Sequence, residues 1–177
     1  MAYLLGQLRL APDPARAVSL LSTAAGACAI DSPYPAFVYA MLLAGEFLLP
    51  TAIPPIPAHL LLPLSSHPDA LAPQFDLARQ AIEKAAYFCH AASQLKLGHL
   101  YEHAAWGLTY DPLMSVQWYS LASQGGEVEA DMASSKWFLC GAEGHFGKNE
   151  ELARTFAEKC GRRGHPNGCF AMGYYFE

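Results

Sequence analysis

The residues with chemical reach are few. "GHLYEH", residues 98–103, sets His99 and His103 four apart with Glu102 beside the second, the H-x-x-E-H spacing of one class of zinc metalloprotease. On a helix, residues four apart share a face, so both imidazoles can reach one ion. A catalytic zinc also needs a third protein ligand and an open position, and no sequence feature nominates that ligand. Ser, His and Asp are all present, yet no G-x-S-x-G elbow, other nucleophile setting or glycine-rich phosphate loop appears. Cys89-His90 has no second pair at metal spacing and reads as a buried thiol in a turn. The sequence therefore predicts no catalytic residue, no cofactor and no metal.

The elements that must carry these residues are helical. Ala occurs 30 times while strand-favouring Val and Thr are scarce. Small residues recur seven apart at Ala17 and Ala24, Ala78 and Ala85, Ser115 and Ala122, Ala153 and Cys160. Asp13, Asp111 and Asn149 stand four before the first small residue of their units, where a short polar side chain caps orphan backbone N–H groups. A second element alternates with the first: "LGHLYE" (97–102), "SSKWFL" (134–139) and "MGYYFE" (172–177). Each has a small residue (Gly98, Ser135, Gly173) with an aromatic three later (Tyr101, Phe138, Phe176), a pattern of two closely approaching helices with a ring above the glycine. Every unit is then a pair of antiparallel helices whose neighbours complete its core.

In that pattern His99, Glu102 and His103 face mainly away from the packing side, and Trp118, Tyr119 and Trp137 fall at core positions. Trp106, in an inter-helix connection, fits a partner contact and a loop anchor equally well. Seven of the thirteen prolines crowd into residues 50–73. That reads as an extended excursion, because each proline removes a donor and blocks helix. Residues 1–177 thus form one helical-repeat domain, with 76–177 the best-defined repeats and 48–74 a proline-rich insertion loop between helices.

The formal net charge of −5 and the lack of a basic cluster exclude the electrostatic footprint of a nucleic-acid binder. The opening "MAYLLGQLRLAPDPAR" lacks a basic leader region. The apolar run 35–64 is broken by Glu46 and five prolines, so direct membrane insertion is not expected. Five cysteines without a C-x-x-C pair suggest reduced thiols and a cytoplasmic protein.

"LKLGHLYEHA" followed by "YDPLMSVQWYSLASQGG" resembles the Sel-one-like repeat family, relatives of the tetratricopeptide repeats. The wording of "YDPLMSVQWYSLASQGGEVEADMASSKWFLCGAEGHFGKNEELA" is similar to the fungal branch that contains chitin synthase activators. The resemblance implies an all-α solenoid, and a chain that begins inside one repeat and ends inside another. It further implies a non-catalytic adaptor whose partner is a membrane-bound chitin synthase or a cell-wall or kinase signalling protein. The adaptor would be cytoplasmic, or peripheral to the membrane through that partner. Two alternatives remain open: a secreted, cysteine-containing relative with β-lactam-binding or hydrolase activity, for which only Cys160 and Cys169 approach the needed arrangement, and a purely structural spacer.

Within the first helices, the third repeat position is apolar (Leu95, Met132, Phe170) and the seventh polar or amphipathic (His99, Lys136, Tyr174). Stacked in register, these positions and Glu102 predict a partner-binding groove with an apolar stripe beside a hydrogen-bonding one. Lys136→Glu should then weaken partner binding with little effect on stability.

Overall fold

The computed structural model describes residue 3, residues 12–47 and residues 71–176. Among these are eight helices: α1 Pro14–Gly26, α2 Tyr34–Leu43, α3 Leu71–Tyr87, α4 Ala91–Glu102, α5 Pro112–Gln124, α6 Val128–Cys140, α7 Glu150–Arg162 and α8 Pro166–Phe176. The described residues contain no strand, only an isolated bridge between Ala142 and Phe146 in the α6–α7 connection. Contacts cluster into two compact units, Met1–Phe88 and Cys89–Glu177. Of the proline-rich stretch 48–74, residues 71–74 are the first turn of α3, and the remainder lies outside the described residues.

Side-chain capping sets three of the helix starts. The side chains of Asp13, Asp111 and Asn149 each accept a 3.0 Å bond from the N–H three residues on, at Arg16, Met114 and Leu152. Pro14 and Pro112 follow two of these caps, where the missing N–H costs no helical bond. Each cap's own N–H also donates backwards, from Asp13 to the Tyr3 carbonyl (2.9 Å), Asp111 to Tyr101 (3.2 Å) and Asn149 to Phe138 (2.7 Å). One junction thus recurs three times, joining an aromatic residue's carbonyl to the cap of the next helix.

The small residues seven apart then let the helices approach. Ala78, Ala85, Ser115, Ala122, Ala153 and Cys160 are all fully buried. In α1 the second buried small residue is Ala25, while Ala24 is half-buried. In the first unit, α2 is apolar around its whole circumference because it packs against both α1 and α3. Ala17, Leu21, Val38 and Leu42 form one core cluster and Ala25, Cys28, Ala36 and Ala85 another. In the second unit successive helices pack pairwise, with a core of Tyr119, Ala122, Ala130, Trp137 and Ala142.

Gly98 shows why a small residue is needed. A Cβ there would lie 2.5 Å from Cδ1 and Cε1 of Tyr119. The ring above this glycine therefore comes from the next helix and not from Tyr101 three residues along. The same seam carries a hydroxyl bond from Ser115 Oγ to the Gly98 carbonyl at 3.0 Å. At the equivalent α6–α7 seam the donor sits on the opposite helix, with Ser135 Oγ reaching the Ala153 carbonyl at 2.8 Å.

Candidate functional site

Three helices of the second unit meet at Glu102, which α5 reaches through the Tyr119 hydroxyl and α6 through Lys136. The hydroxyl donates its proton to Glu102 Oε2 at 2.6 Å, so its oxygen is left to accept from His99 Nδ1 at 2.9 Å. Lys136 Nζ of α6 bonds the other carboxylate oxygen of Glu102. Glu102 is consequently 9 % exposed and His99 half-buried. Both point at the α5 hydroxyl, contrary to the outward orientation expected from the helical wheel, because Tyr119 is long enough to reach past the core into their face.

The electrostatics follow from this burial. Desolvation pushes His99 below the ordinary imidazole value, although neighbouring Glu102 pulls the other way. Burial alone would raise Glu102, but bonds from Lys136 and Tyr119 more than offset it and hold the carboxyl below its usual range. Tyr119 is pushed far above the usual phenol value by burial and by the adjacent carboxylate. These shifts favour a neutral imidazole, an intact phenol and a charged carboxylate along the chain of bonds.

The motif's histidines are stacked, with ring centroids 6.3 Å apart and an interplanar angle of 8°. One potential ligand atom from each of His99, Glu102 and His103 lies within 4.8 Å of the others. The motif's own glutamate thus stands where the sequence left a third ligand unassigned.

Beside this cluster, two open grooves lie along α6. One, of about 360 Å³, is bounded by α6 and α8 and lined by Met132, Ser135, Lys136, Leu139, Phe170 and Tyr174 among others. The second, of about 380 Å³, is lined by His99, Glu129, Met132, Lys136, His165 and Asn167 among others. Met132, Lys136, Phe170, Tyr174 and His99 therefore all line a groove. Phe170 is 82 % exposed and Tyr174 67 % exposed, so these rings offer free apolar area. Leu95 packs against the Tyr119–Trp137 core instead, and Glu102 stands behind Lys136 as its anchor. Because Lys136 is paired with Glu102, Lys136→Glu would set two carboxylates together and disturb the fold as well as the groove.

Other singled-out residues also have definite places. Trp118, Tyr119 and Trp137 are buried. Trp106 is buried as well and carries Lys96 Nζ 5.0 Å from its ring centroid, so it anchors the α4–α5 connection. Cys89 is exposed rather than buried, at a position where the backbone turns through a positive φ of 61°. All five cysteines are free thiols, Cys28 and Cys160 buried and Cys89, Cys140 and Cys169 exposed.

One group escaped the sequence reading. Asp131 of α6 is 0 % exposed and accepts from Ser123 Oγ at 2.5 Å and Lys159 Nζ at 2.8 Å, with Arg163 Nη1 3.7 Å from its second oxygen. The repeat spacing held only a partial signal: the equivalent positions are 94, 131 and 169, of which Gln94 is buried and Cys169 exposed.

No family model matches the chain. Over 100 residues it is 39 % identical to chitin synthase regulatory factor 4 of Schizosaccharomyces pombe, an alignment covering 56 % of this chain and 16 % of that protein. Factor 3 of the same yeast is 36 % identical over 104 residues, 59 % of this chain and 11 % of the relative. The chitin synthase regulator SKT5 of Saccharomyces cerevisiae is 30 % identical over 109 residues, 62 % and 16 % of the respective chains. The chain thus spans a small part of the length of each relative. Among solved structures, a Sel1 repeat protein from Oxalobacter formigenes matches with a TM-score of 0.63 at 19 % identity, covering 89 % of this chain and 98 % of the other. A protective antigen of uropathogenic Escherichia coli that displays an SLR fold matches with a TM-score of 0.70 at 18 % identity, covering 99 % and 32 %. These likenesses make the fold class an all-α helical solenoid of Sel1 repeats.

Proposed function

We propose that this chain, whose homologues are fungal chitin synthase regulatory factors and whose fold is the Sel1 repeat, is a non-catalytic adaptor module. It holds a partner protein through the grooves beside α6, and the partner is a membrane-bound chitin synthase or a cell-wall signalling component. The observation that carries the reading is the α6–α8 groove. Exposed Phe170 and Tyr174 stand across it from Met132, with Lys136 fixed at its polar edge. Apolar anchors beside a few placed polar groups suit recognition of a polypeptide segment. Among the described residues no helix is long and apolar enough to cross a membrane, so this part of the chain reaches a membrane enzyme by docking to it. The cysteine-bridged alternative gains no support from the free thiols of buried Cys160 and exposed Cys169.

Binding of the chain to the cytosolic segments of a fungal chitin synthase tests the proposal directly. The Phe170→Ala/Tyr174→Ala double variant should weaken binding about tenfold or more while its circular dichroism and melting point stay near those of the wild type. Equal binding by the folded variant would remove the groove from the interface, and no binding by the wild type would remove chitin synthase as the partner.

A further inference from the structure

We propose that His99, Glu102 and His103 form a chelating site for a zinc-class divalent ion, with Lys136 as the counter-charge that such an ion displaces. The inference shares His99 and Lys136 with the grooves, but its test reads zinc alone and so fails or succeeds independently of partner binding. The i, i+4 histidines lie on one face of α4, and the carboxylate of Glu102 completes a triad whose donor atoms lie within 4.8 Å of one another, so that a turn of the exposed His103 ring brings its in-plane lone pair to the shared point. Donors at zinc distances of about 2.0–2.2 Å sit about 3.3 Å apart around a tetrahedral ion, so closure takes side-chain shifts of no more than about 1.5 Å.

The cost of that closure is low. His103 is exposed, while Tyr119 already holds both other ligands, bonded to His99 Nδ1 at 2.9 Å and Glu102 Oε2 at 2.6 Å. A hydroxyl gripping two ligands from behind is the outer-shell arrangement that orients metal donors. The two borderline imidazole nitrogens favour Zn²⁺ and its neighbours over Mg²⁺ or Ca²⁺, a set of two histidines and one glutamate is one that zinc accepts, and three protein ligands leave a fourth position open. Lys136 occupies the carboxylate in the ion's place. Its side chain is 55 % exposed and can swing into solvent, so ion binding and the Lys136–Glu102 pair compete.

Zinc titration of untagged protein against a chromophoric chelator, with zinc as the only added ligand, tests this. The wild type should bind one Zn²⁺ per chain, and His103→Ala, which removes an exposed side chain, should lower affinity at least tenfold. Tyr119→Phe keeps the core ring and removes only the hydroxyl. It should weaken binding about tenfold, as loss of an outer-shell partner does. Lys136→Met should tighten binding several-fold. Zinc binding that His103→Ala leaves unchanged, or that neither Tyr119→Phe nor Lys136→Met alters, would reduce the cluster to an adventitious surface chelate and overturn the proposal. Should Tyr119→Phe fail to fold, the His103 and Lys136 variants still decide it.

Discussion

Lys84 of α3 and Lys159 of α7 occupy the same repeat position, immediately before the buried small residues Ala85 and Cys160, and both reach back to the C-terminal end of an earlier helix. Lys84 Nζ donates to the Ala25 and Gly26 carbonyls at 3.1 and 2.6 Å. Lys159 Nζ donates to the Ser123 carbonyl at 3.2 Å. In each case an ammonium satisfies carbonyls left orphaned where a helix ends, at the negative end of its dipole. The difference is what stands behind the carbonyls. Ala25 brings only a methyl group, whereas Ser123, at the equivalent position, brings a hydroxyl to the buried carboxylate of Asp131. The first unit uses its lysine as a cap, and the second uses the same lysine to neutralise an interior charge. One repeat position therefore carries very different energetic weight in the two halves.

The largest expected effect comes from breaking the second arrangement. Lys159→Met leaves Asp131 in the interior with only Ser123 and a distant Arg163, and should cost about 2–3 kcal/mol, less than the roughly 3–5 kcal/mol of a fully buried pair because Lys159 is 45 % exposed. Chemical denaturation measures this, and a loss under 1 kcal/mol would show the charge to be solvated despite its burial. A packing change that involves no charge should come next. Gly98→Ala drives a methyl group into the buried Tyr119 ring and should cost about 1–3 kcal/mol. If it proves neutral, the second unit is held chiefly by its ion network. Lys84→Met should cost about 1 kcal/mol or less, since only exposed and part-buried carbonyls lose a donor. An effect equal to that of Lys159→Met would erase the contrast.

Thiols supply the finest probe. Native protein should react quickly at exposed Cys89, Cys140 and Cys169 and slowly at Cys28 and Cys160, which lie one in each unit. Burial also raises the Cys160 thiol above its ordinary value, further suppressing the reactive thiolate. Lys159→Met should speed labelling of Cys160 and leave Cys28 unchanged, as expected if each unit opens locally. Equal acceleration of both would mean that they open together.

Much of this was legible in the sequence because it is local. An Asp or Asn cap acts on the N–H three residues away, and alanines seven apart share a helix face in any helix. The caps at Asp13, Asp111 and Asn149 and the burial of Ala78, Ala85, Ala122 and Ala153 needed nothing more. Features set by a second helix were not legible. Helical phase placed Glu102 outward, but Lys136, 34 residues later, and the Tyr119 hydroxyl draw it in. The same phase left Leu95 free for the groove, although α5 and α6 bring core against it. Asp131 was missed because a single acid on an apolar face looks like a solvated one until its partner 28 residues away is known.

The hydroxyl that changes sides between the two seams constrains how such a chain can be recombined. In α4–α5 the glycine helix meets a serine helix, and in α6–α7 the serine helix meets an alanine helix. Splicing α6 against α5 would bring two hydroxyls into a gap built for one, and splicing α4 against α7 would leave none. A crossover inside a pair yields a mismatched seam, whereas exchange of a whole pair keeps its seam and has to match the Ser123–Asp131 and Lys136–Glu102 contacts that cross to the next. The tolerated breakpoints therefore fall in the connections that join one pair to the next, such as the Gly125–Gly126 turn.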